Sequence, residues 1–515
     1  MKFSTALVAG FLSCLACAPA QPGKAPHTVT PPSKTSQAEA PSLVGLTRAI
    51  QSVSGSRIMQ DLARLSSPEF SGRQTGTADD RRTALWVATR FHSLKLGPSG
   101  TEALGPGDEP WAQTRSIPTV QIGDEVRLQF LVGNDVIHAR PGRDYLPILD
   151  SPSANLDAPV VFVGYGISDP LRGLDEYEGL DVRNRIVMFL RGKPEGYTNQ
   201  TSLADKVRVA RARGALAFIT LQGPVLNAYE ARRGTSSAPL ASYTLSPGEE
   251  QLLPGCWIST ELAEQVFAMD GRALREVQTR LNTTLKSQSF AGNGRVRLSW
   301  HSIRTDGTLF NVLGLLAEEA RPDPNGDQRL VIIGAHRDHF GRQAGLLFAG
   351  ADDNASGTAV ILEVARVLAS SGVSFRRPIL FVSFSGEEQN LLGSRLYVSR
   401  PAWPLGKTDA MINVDHAGIG SGRLTIGVTG PSKETALVAG NQTGIADQLD
   451  VFGFFPGGDH VPFKEADVPT YTIVSSGPHP NFHQASDQAD TIRQDILEKV
   501  TRYVVALAWN LADRP

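Results

Sequence analysis

The chain has 515 residues, 41% apolar and 20% charged, proportions of a globular protein that buries a real core, at a length that predicts two or three domains of ~100 to 200 residues each. Lys plus Arg number 50 against 52 for Asp plus Glu, a net charge of -2, which leaves no basic footprint for nucleic acid or an anionic membrane surface. Three cysteines, Cys14, Cys17 and Cys256, exclude a disulfide framework for a protein of this size.

The first twenty residues, MKFSTALVAGFLSCLACAPA, set Lys2 before an apolar run from Phe3 to Ala18 that ends in small residues. The run is shorter than the ~20 residues a membrane-spanning helix needs and resembles a secretory signal peptide over residues 1–20. Two exits are open. Cleavage after Ala20 releases a free protein, whereas Cys17, preceded by Leu15 and Ala16, is placed as the lipid-modified residue of a bacterial lipoprotein. Residues 18 to 42 carry six prolines and one large apolar residue, Val29, so a flexible linker is expected over 21–44. The sequence thus predicts export, to the periplasm, the outer membrane or the medium, without a transmembrane helix. Cys256 reads as a buried apolar thiol.

From Ser52 to Leu96 the pattern is helical, with Ile58, Leu62 and Leu65 on one face and Trp86, Ala88 and Phe91 on a second run, separated by the loop SPEFSGRQTGTADD. From Ala158 the runs PVVFVGYGI and RIVMFLRG, a helix through Leu203, Val207 and Ala210, and the run ALAFITL predict strand, strand, helix, strand, a unit with its own core.

Beyond Asn311 the pattern changes again. LVIIGA, residues 330–335, reads as a fully buried strand and ends at His336-Arg337-Asp338-His339. ILFVSF runs into Ser385-Gly386-Glu387-Glu388, the run Ala410–Val414 into Asp415, and Thr470–Val474 into a loop with His483, while GADDNASG (350–357) precedes a helical run from Ala359 to Leu368. In open α/β sheets function gathers outside the carboxyl ends of the strands, so these polar groups are expected on one rim. Each has a plain reading by itself: a hydrogen-bonded strand-end histidine, a solvated Glu-Glu helix start, a turn with an N-cap. Their recurrence at successive strand ends points to chemistry instead. His336, Asp352, Glu388, Asp415 and His483 form a donor set of imidazoles and carboxylates without thiolate, suited to Zn, Co or Mn. Two histidines and three carboxylates suffice for two metals if one carboxylate bridges, which leaves Glu387 as a general base and Asp338 to fix the His336 tautomer.

AHRDHFG, GADDNASG, SFSGEEQNLLGS, MINVDHAG and GPHPNFHQASD, in this order, resemble the motif series of the di-zinc exopeptidases that include bacterial leucyl aminopeptidase, aminopeptidase Y and glutamate carboxypeptidase. The resemblance implies an α/β fold, a zinc-exopeptidase mixed-sheet sandwich flanked by helices with an inserted β-rich protease-associated domain. It implies two zinc ions per chain on His336, Asp352, Glu388, Asp415 and His483, with Asp352 bridging and followed by a cis peptide bond, and Glu387 as the base. The implied layout is an N-terminal part of the peptidase domain over 45–150, which includes SGRQTGT, the protease-associated domain over 156–290, and the catalytic domain over 300–513. The implied activity is that of an aminopeptidase acting on peptide substrates. A carboxypeptidase, a glutaminyl cyclase and a non-catalytic receptor-like binder are the alternatives. The chain departs from the family at His416, where Met is usual, and at Phe482, where a Tyr often stands as a donor to the substrate carbonyl. His416 is expected either to line the pocket for the substrate's first side chain or to point into the core. Asp459-His460 is read either as a hydrogen-bonded loop pair or as a substrate contact.

Overall fold

In the computed structural model the described residues are 43–227, 237–244, 253–316, 328–430 and 432–513. The signal-like leader, Cys14, Cys17 and the Pro-rich stretch to residue 42 lie outside them.

The apolar runs that end in polar clusters form the middle of one sheet. Leu330–His336 is buried along its whole length and runs parallel to Ile379–Phe384 on one side and Thr408–Val414 on the other, with Thr470–Ser475 parallel beyond the latter. Strands covered on both faces have no solvent side to impose alternation, which is why they read as continuous apolar runs. Leu424–Thr429 continues the sheet antiparallel to Thr470–Ser475 and Leu449–Phe452 closes that edge. At the other side Ser302–Leu316 pairs antiparallel with both Ile379–Phe384 and Ala112–Ile122. Helices Gly55–Leu65, Ala78–Ser93, Gly357–Ala369 and Gln494–Ala512 contribute to the same core. Ile58, Leu62, Leu65, Ala88 and Phe91 are buried as the periodicity predicts. Ser54 and Thr77 cap the first two of these helices with their hydroxyls. Among the described residues no helix is long and apolar enough to cross a membrane.

A second sheet of eight strands has its own hydrophobic clusters. Its parallel centre is Ala154–Phe162, Ile186–Leu190, Ala217–Leu221 and Gly255–Ile258, with helix Leu203–Ala212 between the second and third in the chain. This sheet reaches beyond the expected unit over 156–290: strands Arg127–Val132, Asp135–His138 and Tyr145–Pro147 belong to it, and Phe290–Trp300 lies between Arg127–Val132 and Ala154–Phe162. The first of these pairs with residues 295–299, a partnership far apart in sequence that no local pattern reveals. The unit is thus an insertion between the long strands Ala112–Ile122 and Ser302–Leu316, whose register runs from Ile122↔Ser302 to Gln113↔Asn311. Cys256 is fully buried within it, and burial pushes its thiol pKa up.

Two buried arginines tie the loops beneath the rim. Arg73, in the SGRQTGT loop, donates to the carbonyls of Leu65, Ala349 and Gly350. Arg337 pairs with Asp80 at 2.5 Å, both side chains fully buried, and donates to the Phe310 and Ser383 carbonyls. Removing one partner strands the other charge, so Asp80→Ala is expected to destabilise the protein by about 3–5 kcal/mol. Denaturant midpoints of the two proteins check it, and a loss below about 1 kcal/mol, the scale of an exposed pair, contradicts it.

Candidate metal centre

His336 ends its strand, and its Nε2 lies 3.4 Å from Asp353 Oδ1 and 3.4 Å from Asp415 Oδ1. Across Asp353, His483 Nε2 lies 3.2 Å from Asp353 Oδ2 and 3.2 Å from Glu388 Oε2. Two three-residue groups, His336–Asp353–Asp415 and His483–Asp353–Glu388, thus share one carboxylate, one oxygen to each. Four of the five expected ligands, His336, Glu388, Asp415 and His483, come together as the strand-end argument anticipates.

The fifth does not. The structure sets Asp353, rather than Asp352, between the two histidines. The turn from Ala351 to Ser356 leaves the helical path at Asp353 (φ -109°, ψ 94°) and Asn354 (φ -132°, ψ 46°), so two neighbouring carboxylates point to different places. Gly350 opens this turn at φ 56°, where a Cβ would fall 2.4 Å from the His339 ring. Asp487 accepts the N–H of Asp352 at 2.9 Å and of Asp353 at 3.0 Å, and the Asn354 amide donates to the Val414 carbonyl at 3.0 Å. Asp352 instead accepts the Gly418 N–H at 2.8 Å and faces His479 Nδ1 at 2.6 Å and His416 Nδ1 at 3.3 Å. The cis peptide bond correspondingly joins Asp353 to Asn354, not Asp352 to Asp353.

Asp338 sits where it orients the site. Its backbone oxygen is 3.3 Å and its carboxylate 3.6 Å from His336 Nδ1, and its two carboxylate oxygens accept the N–H groups of Glu387 and Glu388 at 3.2 and 3.4 Å. Glu387 has a carboxylate oxygen within 4.8 Å of ligand atoms of His336 and Asp415. Burial, with the charges of Glu388 and Asp415 and against that of His336, raises its proton affinity well above the usual carboxylate range. Burial alone would depress His336, yet the charges of Asp415 and Glu387 outweigh it and hold its pKa well above the ordinary value. So many buried carboxylates are sustained only by a bound cation or a proton.

His339, His479 and Asp487 are residues that sequence reasoning passed over. His339 Nδ1 lies 2.7 Å from Glu388 Oε1. The second His of HRDH and the His and Asp flanking NFHQAS stand in the sequence without any spacing that marks an orienting role. His416 takes neither expected position cleanly. Its Nδ1 faces Asp352, its Nε2 is 3.7 Å from Asp353 and 3.9 Å from Asp415, and its ring packs between His479 and Phe482. Asp459 and His460 are both buried, and His460 Nε2 faces the Phe455 carbonyl at 2.7 Å.

The donor set fits zinc. Two ligands at ~2.0–2.1 Å from a tetrahedral ion are about 3.3–3.4 Å apart, close to the 3.2–3.4 Å separations within each group. A carboxylate giving one oxygen to each group is what a two-metal site needs.

The profile described as Peptidase family M28 matches residues 311–508, the span that carries all these side chains. Aminopeptidase YwaD of Bacillus subtilis is 26% identical over 463 residues, covering 86% of this chain and 82% of the relative. A probable leucine aminopeptidase of Arthroderma otae is 26% identical over 245 residues, 43% of this chain and 68% of the relative. Among solved structures, the aminopeptidase from Aneurinibacillus sp. strain AM-1 superposes with a TM-score of 0.62 at 20% identity, covering 92% of this chain and 97% of that one. A peptidase M28 precursor from Shewanella amazonensis gives 0.65 at 18% identity, with 92% and 96% covered. These two share the fold along nearly the whole chain, second sheet included, and the α/β zinc-exopeptidase architecture is thereby the fold of this protein. With the Peptidase family M28 profile matching residues 311–508 and aminopeptidases among the relatives, that span is similar to the M28 peptidases and the chain is a zinc-dependent hydrolase.

Proposed function

We propose that the protein is a two-zinc aminopeptidase, with His336, Asp353 and Asp415 holding one ion and Asp353, Glu388 and His483 the other. The observation that carries the reading is the single carboxylate, Asp353, presenting one oxygen to each histidine. Two zinc ions there would supply Lewis acidity to a water and to the scissile carbonyl. Glu387, within reach of both His336 and Asp415, takes the proton from the attacking water and returns it to the leaving amine. Asp338 fixes the Glu387–Glu388 turn and the His336 ring, His339 fixes Glu388, and Asp487 fixes the backbone on either side of Asp352. The names of the relatives support removal of the N-terminal residue. Arg73 and Arg337, on segments that carry the site, are fully buried among carbonyls and Asp80, so neither offers a cation to a substrate's C-terminal carboxylate. Export completes the proposal, either with lipid on Cys17 or with cleavage after Ala20, and the inserted unit is read as a protease-associated domain.

The test is chelation and reconstitution of the purified full chain. Activity on aminoacyl substrates is expected to vanish on stripping and to return at two equivalents of zinc, with N-blocked peptides left uncut. Cleavage of N-blocked peptides from the other end would establish a carboxypeptidase, and conversion of N-terminal Gln would establish a cyclase. Zinc uptake without turnover would leave a binding protein. The intact mass of the native chain separates the two export routes.

A further inference from the structure

Among the described residues, the inserted unit reaches the Glu388–His483 half of the metal centre through three contacts. The Ala241 N–H donates to the carbonyl of His483 at 2.9 Å, and His483 stands at φ 56°, a left-handed conformation that a non-glycine residue adopts only when its surroundings hold it. Phe482 stacks on the His483 imidazole with ring centroids 3.6 Å apart and packs against the insert's own core, which includes Leu240, Phe189 and Trp257. The Tyr243 hydroxyl accepts from the Gln389 amide at 3.2 Å and from the Gln74 amide at 3.4 Å, and so grips the residue next to Glu388. Its ring approaches Phe340, which meets His483 edge-on at 4.7 Å.

The other half rests on the central sheet. Asp415 N–H donates to the Ile473 carbonyl in the neighbouring strand, the His336 carbonyl accepts from Thr358, and Asp338 faces the His336 ring. These contacts come from the neighbouring strand, the helix Gly357–Ala369 and the end of the His336 strand, and none of them is made by a residue of the insert.

We propose that the inserted unit, through Leu240–Tyr243 and the seat it provides for Phe482, sets the metal affinity of the Glu388–His483 half alone. The two positions then load in separate steps, and the weaker step is the one the insert controls. This rests on the two-zinc reading above. Positioning groups outside the ligand set typically change metal affinity by about 10- to 100-fold, enough to resolve two steps.

The experiment is a zinc titration of the stripped full-length protein at buffered free zinc, followed by native mass spectrometry. Wild type should reach two ions. Phe482→Ala and Tyr243→Phe should take the first ion as wild type does and the second only at about 10-fold or higher free zinc. Ala241→Pro, which removes the N–H, should do the same where it folds. Phe375→Ala, at a side chain that packs on Trp509 ahead of the strand Ile379–Phe384 and outside the insert, controls for loss of stability and should leave both steps in place. Steps that weaken together in Phe482→Ala and Tyr243→Phe, or that do not move, overturn the inference. A wild-type protein that takes up fewer than two ions overturns the two-zinc reading itself, and the inference with it.

Discussion

Glu387→Gln is expected to lower kcat by about 10²- to 10⁴-fold, the contribution of a positioned general base, while two zinc ions per chain remain. The substitution keeps the shape of the side chain and removes its capacity to accept a proton. The prediction is sharp because Glu387 lies close enough to His336 and Asp415 to be counted among that half's candidate ligands. If it is a ligand, the variant loses metal along with activity. If it is the base, activity falls and metal content stays. Steady-state kinetics together with metal analysis of the same preparation distinguish the two, and kcat within a few-fold of wild type removes Glu387 from either role. The neighbouring residue has the opposite assignment. Glu388 faces His483 at 3.2 Å and is held by His339, so under the proposed function the two adjacent glutamates would divide base and ligand between them.

The second large effect separates two adjacent aspartates. Asp353→Ala removes the one carboxylate that both halves share, and it is expected to abolish binding of both zinc ions and with it all measurable turnover. Asp352→Asn removes a charge that faces His416 and His479 and should behave as an orienting residue, retaining two ions and losing about 10- to 100-fold in activity. Zinc stoichiometry after dialysis is the decisive measurement. Two ions retained in Asp353→Ala, or both lost in Asp352→Asn, would return the shared role to Asp352.

That pair also marks where sequence stops and tertiary structure begins. The strands that carry His336, Glu388, Asp415 and the His483 loop were legible because burial on both faces writes itself into a local run of apolar residues, and the polar residue at each run's end is where the backbone leaves the core. The helical face through Ile58, Leu62 and Leu65 was legible for the same kind of reason, a repeat matched to the helix period. The choice between Asp352 and Asp353 had no such signature. GADDNASG is an irregular turn without periodicity, and which carboxylate enters the site is decided by Asp487 and Asn354 gripping the turn, groups 135 residues downstream in the first case. The edge of the inserted unit was hidden likewise, since Arg127–Val132 finds its partner in Phe290–Trp300, and pairing across such a distance leaves no mark on either segment alone. His416 shows the same division. Its identity announces a departure from the family, but its place against Asp352, Asp353 and Asp415 arises only where the end of one strand and a turn remote from it in the chain meet. Sequence thus determined which elements exist and which residue types gather at their ends, because both are set by local burial and local conformational preference. Tertiary structure alone decided which of two neighbouring aspartates lies between His336 and His483 and which residues the insert touches there, because those depend on contacts between segments remote in the chain.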